Sequence, residues 1–154
     1  MKLIDVLNPA AIIDSMTATN KTDALVELTD AILRAGNGLD RDAVIKAVQE
    51  REQLGSTGIG HGIAIPHGKL KGLERILVAF GRSRNGIDFQ AMDDMPVHLF
   101  FLLLAPQESN GEHLKVLACI SKLMKNPEVR QRLMDAVGVE ALLRIISEEE
   151  DKLF

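Results

Sequence analysis

The run VHLFFLLLA at residues 97–105 decides the fold. Only His98 interrupts it, so it cannot be a strand with one face in water, where apolar and polar residues alternate. It is also far too short to cross a membrane as a helix. A continuous apolar run of this length suits a central strand covered on both faces, and ILVAFG at 76–81 has the same character. Working outward, the segments that must supply the cover have helical spacing. Ala24, Leu25, Leu28 and Ile32 follow Asn20, a good N-cap, and stop at Gly36. Asp40 opens a second helix with Val44, Ile45 and Val48 on one face, ending near 53–55. Ser109-Asn110-Gly111-Glu112 reads as a capping box that starts a helix over 110–124. Asn126 and Pro127 open another helix that stops at Gly138, and 139–149 is the last, with Leu142, Leu143 and Ile146 inward.

Three shorter elements complete the reading. Residues 3–7 form a helical turn stopped by Asn8-Pro9, residues 11–16 an edge strand, and residues 63–65 a short strand closed by Pro66. The expected architecture is α/β: a mixed, largely parallel sheet of four or five strands sandwiched between helices. Residues 1–154 contain no repeat, low-complexity tract or Pro/Ser-rich linker, so one domain is expected.

Composition removes several functions. The single cysteine, Cys119, excludes an internal disulfide framework and fits a reducing compartment. No apolar run reaches membrane-spanning length and Met1-Lys2 opens no signal-peptide pattern, so a cytoplasmic protein without membrane insertion is expected. Five Phe, with no Trp or Tyr, argue against a base-stacking platform. The net charge is −4, and Glu148, Glu149, Glu150 and Asp151 account for all of it. The neutral body has no field to draw it to nucleic acid, and the acidic run reads as a solvated helix end.

One segment is not bland. Gly55, Gly58, Gly60, Gly62 and Gly68 place five of the twelve glycines in fourteen residues, together with His61 and His67. A dinucleotide fingerprint fails, because Ile63 stands where its third glycine belongs and a helix precedes the glycines rather than following them. The phosphate loop of nucleotide-binding proteins fails too, since no Gly-Lys-Ser/Thr occurs. Beside the plain reading of a helix-to-strand loop, such glycines admit an anion or a partner surface close to the backbone.

His67 shifts the balance. It stands between Pro66 and Gly68, just past an apolar strand, where α/β sheets place their sites. There an imidazole is a nucleophile, a general base or a metal ligand. His113, in the first turn of its helix, faces free N–H groups that favour an anion, and Arg51, sixteen residues before His67, carries a planar fork suited to phosphate. His98 reads as a structural histidine and Cys119 as inert core. His61 and His67 have no companion cysteine, HExxH pattern or carboxylate pair, so no metal is expected. No serine lies in a nucleophile elbow.

Read whole, REQLGSTGIGHGIAIPHG at 51–68 closely resembles the signature of the IIA components of the bacterial phosphoenolpyruvate-dependent sugar phosphotransferase system. The likeness is to the fructose/mannitol family, nearest its nitrogen-regulatory branch, and it spans almost the whole chain. It implies a mixed sheet flanked by helices and a phosphoryl group carried on the histidine of Ile-Pro-His-Gly, His67. The family's second active-site histidine falls on His113 and its arginine on Arg51. The implied donor is a small HPr-like phosphocarrier protein, with no metal or other cofactor. In sugar-specific members phosphate passes on to a IIB component. In the nitrogen branch the phosphorylation state controls regulatory target proteins instead. A binding module that keeps the fold but takes no phosphate is the alternative from another class. His61 departs from the pattern, where sugar-specific members commonly carry Glu and the nitrogen branch often Asn. Leu54, Ile59 and Ile63 are expected to form an apolar docking rim.

Overall fold

A computed structural model describes residues 2–109 and 111–153. Met1, Asn110 and Phe154 lie outside it, and with Asn110 goes the expected first residue of the 110–124 helix. The chain runs α1 (Leu3–Val6), β1 (Leu7–Ile13), α2 (Lys21–Leu33), α3 (Arg41–Gln53), β2 (Gly58–Gly60), β3 (Ile63–Ala64), β4 (His67–Leu70), β5 (Leu77–Ile87), β6 (Val97–Pro106), α4 (Glu112–Met124), α5 (Pro127–Asp135) and α6 (Val139–Leu153).

The apolar run at 97–105 is β6, the strand on which the sheet is built. It pairs antiparallel with β5, from Leu77 opposite Leu104 to Arg82 opposite Leu99. On its other side β3 and β4 follow one another, both parallel to β6: Ile63 and Ala64 lie opposite Leu99 and Phe100, and His67 to Leu70 opposite Leu103 to Pro106. β1 adds parallel to β5, and β2 antiparallel to β3. Three of the five pairings are parallel, as a largely parallel mixed sheet requires, although the long central pairing is antiparallel.

Alternation along β6 explains its continuous hydrophobicity. Leu99, Phe101 and Leu103 pack with α4, α5 and α6, while Phe100, Leu102 and Leu104 pack with α2 and α3. Each layer contains an edge-to-face phenylalanine pair, Phe80–Phe101 at 5.0 Å and Phe89–Phe100 at 5.4 Å between ring centres. The caps at Asn20, Asp40 and Asn126 form as expected, each side chain accepting a backbone N–H from the first turn.

Several boundaries differ from expectation for identifiable reasons. The edge strand is Leu7–Ile13 rather than 11–16, with Pro9 inside it, which an edge tolerates because one side of such a strand needs no ladder N–H. Among the described residues the sheet has six strands rather than four or five, because β2 and β4 are two short strands inside the Gly-rich segment. Gly111, not Ser109, caps α4, in a left-handed conformation and without a side-chain hydrogen bond. The acidic run is not simply a solvated helix end, because α6 continues to Leu153 and both Glu149 and Glu150 are buried. Glu150 accepts the backbone N–H groups of Leu3 and Ile4 at 2.5 and 3.3 Å, and Glu149 is bonded by Arg132 and Lys152.

Candidate active site

The site is assembled where α3 hands over to β4. The last turn of α3 carries Arg51 and Glu52, and the chain then crosses Gly55 to β2. β2 and β3 form a hairpin joined by His61 and Gly62, both left-handed, with φ of 58° and 79°. Two successive positive φ values suit a tight hairpin turn, in which Asn, Asp, His and Gly are the tolerated residues. His61 is therefore a turn residue. It is exposed, and its backbone N–H donates to Asp93 Oδ2 at 3.2 Å.

β4 begins at His67, where the chain meets α3 again. A Cβ on Gly68 would lie 3.3 Å from both the carbonyl carbon and the Cβ of Ala47, so glycine lets the strand lie against the helix. That contact brings His67 to Arg51. Two hydrogen bonds fix the imidazole. Nδ1 lies 2.9 Å from the carbonyl oxygen of Ile65, and Arg51 Nε lies 3.2 Å from Nε2. A carbonyl only accepts and a guanidinium only donates. Nδ1 therefore carries the proton, and Nε2 presents its lone pair. Burial holds the ring's pKa below its ordinary value, and the positive charge of Arg51 and the nearby His113 imidazole act in the same direction. The Ile65 hydrogen bond and Glu52 oppose them.

His113 arrives from the first turn of α4, its Nδ1 lying 3.2 Å from Ser109 Oγ. The serine expected to cap the helix thus orients the imidazole. Arg51, His67 and His113 line one cleft of about 310 Å³, together with Lys69, Leu103 and Leu114. Arg51 is further tied by Nη1 to the Gly55 carbonyl at 3.0 Å. The cleft therefore holds an unprotonated ring nitrogen, a guanidinium beside it and a second imidazole at a helix N-terminus, an arrangement able to receive and hold an anionic electrophile.

The remaining candidates lie elsewhere. His98 Nδ1 is 2.9 Å from the Ser83 carbonyl, as expected of a structural histidine. Half-buried Cys119 donates to Glu150 at 3.3 Å, and its thiol is pushed up to about 12 by burial and by that carboxylate. Among the described residues, no three His, Cys, Asp or Glu side chains gather as a metal site would need. Ile63 is core rather than docking rim, at 1% exposed, whereas Leu54 and Ile59 are exposed. Sequence reasoning missed Glu52 and Lys69. A predicted β4 would have exposed Lys69, two residues from His67 and so on the same strand face. Nothing in the sequence marked Glu52, whose partners, Thr57 five residues on and Lys21 at the start of α2, are brought to it only by the fold.

The family model described as "Phosphoenolpyruvate-dependent sugar phosphotransferase system, EIIA 2" matches residues 5–149. A nitrogen regulatory protein of Bradyrhizobium diazoefficiens is 37% identical over 96% of this chain and 95% of that protein. A fructose-specific EIIA component of Haloferax volcanii is 39% identical over 83% of each. The crystal structure of the nitrogen regulatory protein IIA-Ntr from Neisseria meningitidis superposes with a TM-score of 0.87 at 33% identity, covering 94% of this chain and 98% of that one. Matched along nearly its whole length and in its fold, the chain belongs to the EIIA 2 family of the phosphoenolpyruvate-dependent sugar phosphotransferase system.

Proposed function

We propose that His67 accepts a phosphoryl group on Nε2 from the phosphohistidine of an HPr-like phosphocarrier protein, and that the phosphorylation state of the chain serves nitrogen-type regulation of target proteins. The observation that carries this reading is the orientation of His67: its Nδ1–H is spent on Ile65, so the unprotonated Nε2 faces the Arg51 guanidinium, whose Nε–H it accepts, in the cleft shared with His113. In the transfer, Nε2 attacks phosphorus, and the P–N bond to the donor breaks with its electron pair returning to the donor imidazole. Such a transition state demands positioning and charge stabilisation more than covalent assistance. Arg51 and His113 are the groups placed to hold the phosphoryl oxygens. Exposed Leu54, Ile59 and Leu114 supply apolar surface for a folded donor.

Incubation with phosphorylated carrier should give an acid-labile, alkali-stable phosphate on the wild-type chain and none on His67→Ala. An unlabelled wild type refutes the phosphocarrier reading and leaves a binding module; label persisting in His67→Ala refutes the site. The similarity to a fructose-specific component supports a second reading, in which phosphate passes to a IIB component for sugar uptake. Efficient onward transfer to a IIB protein would establish that reading against a purely regulatory role.

A further inference from the structure

Glu52 lies beside Arg51 at the end of α3, and its side chain is almost wholly buried. A buried carboxylate is tolerated only with its oxygens satisfied, and here both are. Oε1 accepts the Thr57 backbone N–H at 2.9 Å and pairs with Lys21 Nζ at 2.8 Å, while Oε2 accepts the Thr57 hydroxyl at 2.6 Å. Lys21 is in turn seated 4.9 Å over the Phe89 ring. The clamp continues past Thr57. The Thr57 carbonyl accepts the Ile65 N–H at 3.0 Å, and the Ile65 carbonyl accepts His67 Nδ1–H at 2.9 Å. Pro66 follows with its backbone angle fixed by the ring, and its carbonyl is held by the Leu103 N–H at 3.0 Å. Ile65 is thus pinned on both sides, and its carbonyl, together with the Arg51 Nε–H on Nε2, decides which nitrogen of His67 bears the proton.

We propose that Glu52 is a positioning residue for His67: through Thr57 and the Ile65 peptide it holds the imidazole as the Nδ1–H tautomer and aims Nε2 into the cleft. An ordinary clamp between helix end and loop would stabilise the fold without choosing a tautomer. The proposal requires the tautomer to depend on the clamp. It rests on His67 being the phosphoryl acceptor only for its kinetic consequence, because the tautomer can be read without phosphate.

The test uses the full chain labelled with 15N, with ring-nitrogen shifts of His67 recorded and phosphoryl uptake from phosphorylated carrier timed. Wild type should show the Nδ1–H form alone. Glu52→Gln keeps the shape but loses the charge that holds Lys21, and Thr57→Val loses the hydroxyl. Both should mix the two tautomers and slow uptake about tenfold or more, as misplacement of a reacting group does. Thr57→Ser, which keeps the hydroxyl, should restore both readouts to wild type. A pure Nδ1–H spectrum in either variant, folded by circular dichroism, overturns the assignment whatever the rate. If Glu52→Gln fails to fold, the Thr57→Val and Thr57→Ser pair decides alone. If the wild type takes no phosphate, the phosphocarrier reading fails while the ring shifts still judge the clamp.

Discussion

In the proposed transfer the chemistry falls on one nitrogen, His67 Nε2. Burial, then the charge of Arg51 and the nearby His113 imidazole, disfavour a proton on this ring, so its folded-state pKa lies below the ordinary imidazole value of 6.5. The lone pair should consequently stay available at mildly acidic pH. A nuclear magnetic resonance titration should place the His67 midpoint below that of an unstructured histidine, and phosphoryl uptake should stay flat through neutral pH and fall only below 6.5. The sign for stability follows. Between the two pKa values the unfolded chain binds a proton that the folded chain refuses, so this contribution is fully present above 6.5 and is lost as the pH falls through the folded value. A His67 midpoint at or above 6.5 would mean that burial and the Arg51 charge do not govern the ring. Arg51, His67 and His113, which share one cleft, could be singled out in the sequence because each needs only its type and its place at an element end. The tautomer was not, since it depends on the Ile65 carbonyl and on a guanidinium sixteen residues away.

Elements were legible where the hydrophobic period was long and illegible where backbone contacts replaced it. β6, β5 and the capped helices announce themselves by pattern. β2 and β4 do not, since three- and four-residue strands rich in glycine carry no periodicity. The glycine density reads as a phosphate-accessible backbone, yet the structure gives several of these glycines steric work. Gly62 completes the hairpin turn and Gly68 lies against α3, while Gly58 faces Ala91 so closely that a Cβ would stand 2.6 Å from its Cβ and 2.9 Å from its Cα. Backbone cannot yield as a flexible side chain can. Gly58→Ala should therefore destabilise the chain by about 1–3 kcal/mol, the usual cost of overpacking. It should also break the bond from the Met92 N–H to the Gly58 carbonyl, 3.3 Å long in the native fold. Urea midpoints and protection of the Met92 amide from hydrogen exchange measure the two effects, and an unchanged midpoint would show that the 91–95 loop moves freely.

At the scale of the molecule, buried charges join segments that the hydrophobic pattern leaves unconnected. Glu150 ties α6 to the start of α1 across 147 positions, which is why a run of acids reads as solvent-facing until the fold supplies N–H donors. Arg82 makes the larger junction. It is 0% exposed, in a strand whose pattern alone suggests only apolar neighbours. Its Nε donates to the Asp14 carbonyl at 2.9 Å and its Nη1 to the Leu133 carbonyl at 2.8 Å, while Nη2 pairs with the Asp14 carboxylate. One guanidinium thus joins β5 to the chain leaving β1 and to the end of α5. Arg82→Met fills similar volume but orphans those carbonyls and the carboxylate, and removing one partner of a buried ionic network costs about 3 kcal/mol or more. The urea midpoint should drop accordingly with an unchanged slope, because the surface exposed on unfolding stays the same. Arg82 is not among the residues lining the His67 cleft, so His67 ring shifts and phosphoryl uptake in the folded fraction should match wild type. A variant that kept its midpoint would mean that water satisfies the orphaned groups; one that lost uptake while folded would mean that the junction also shapes the cleft.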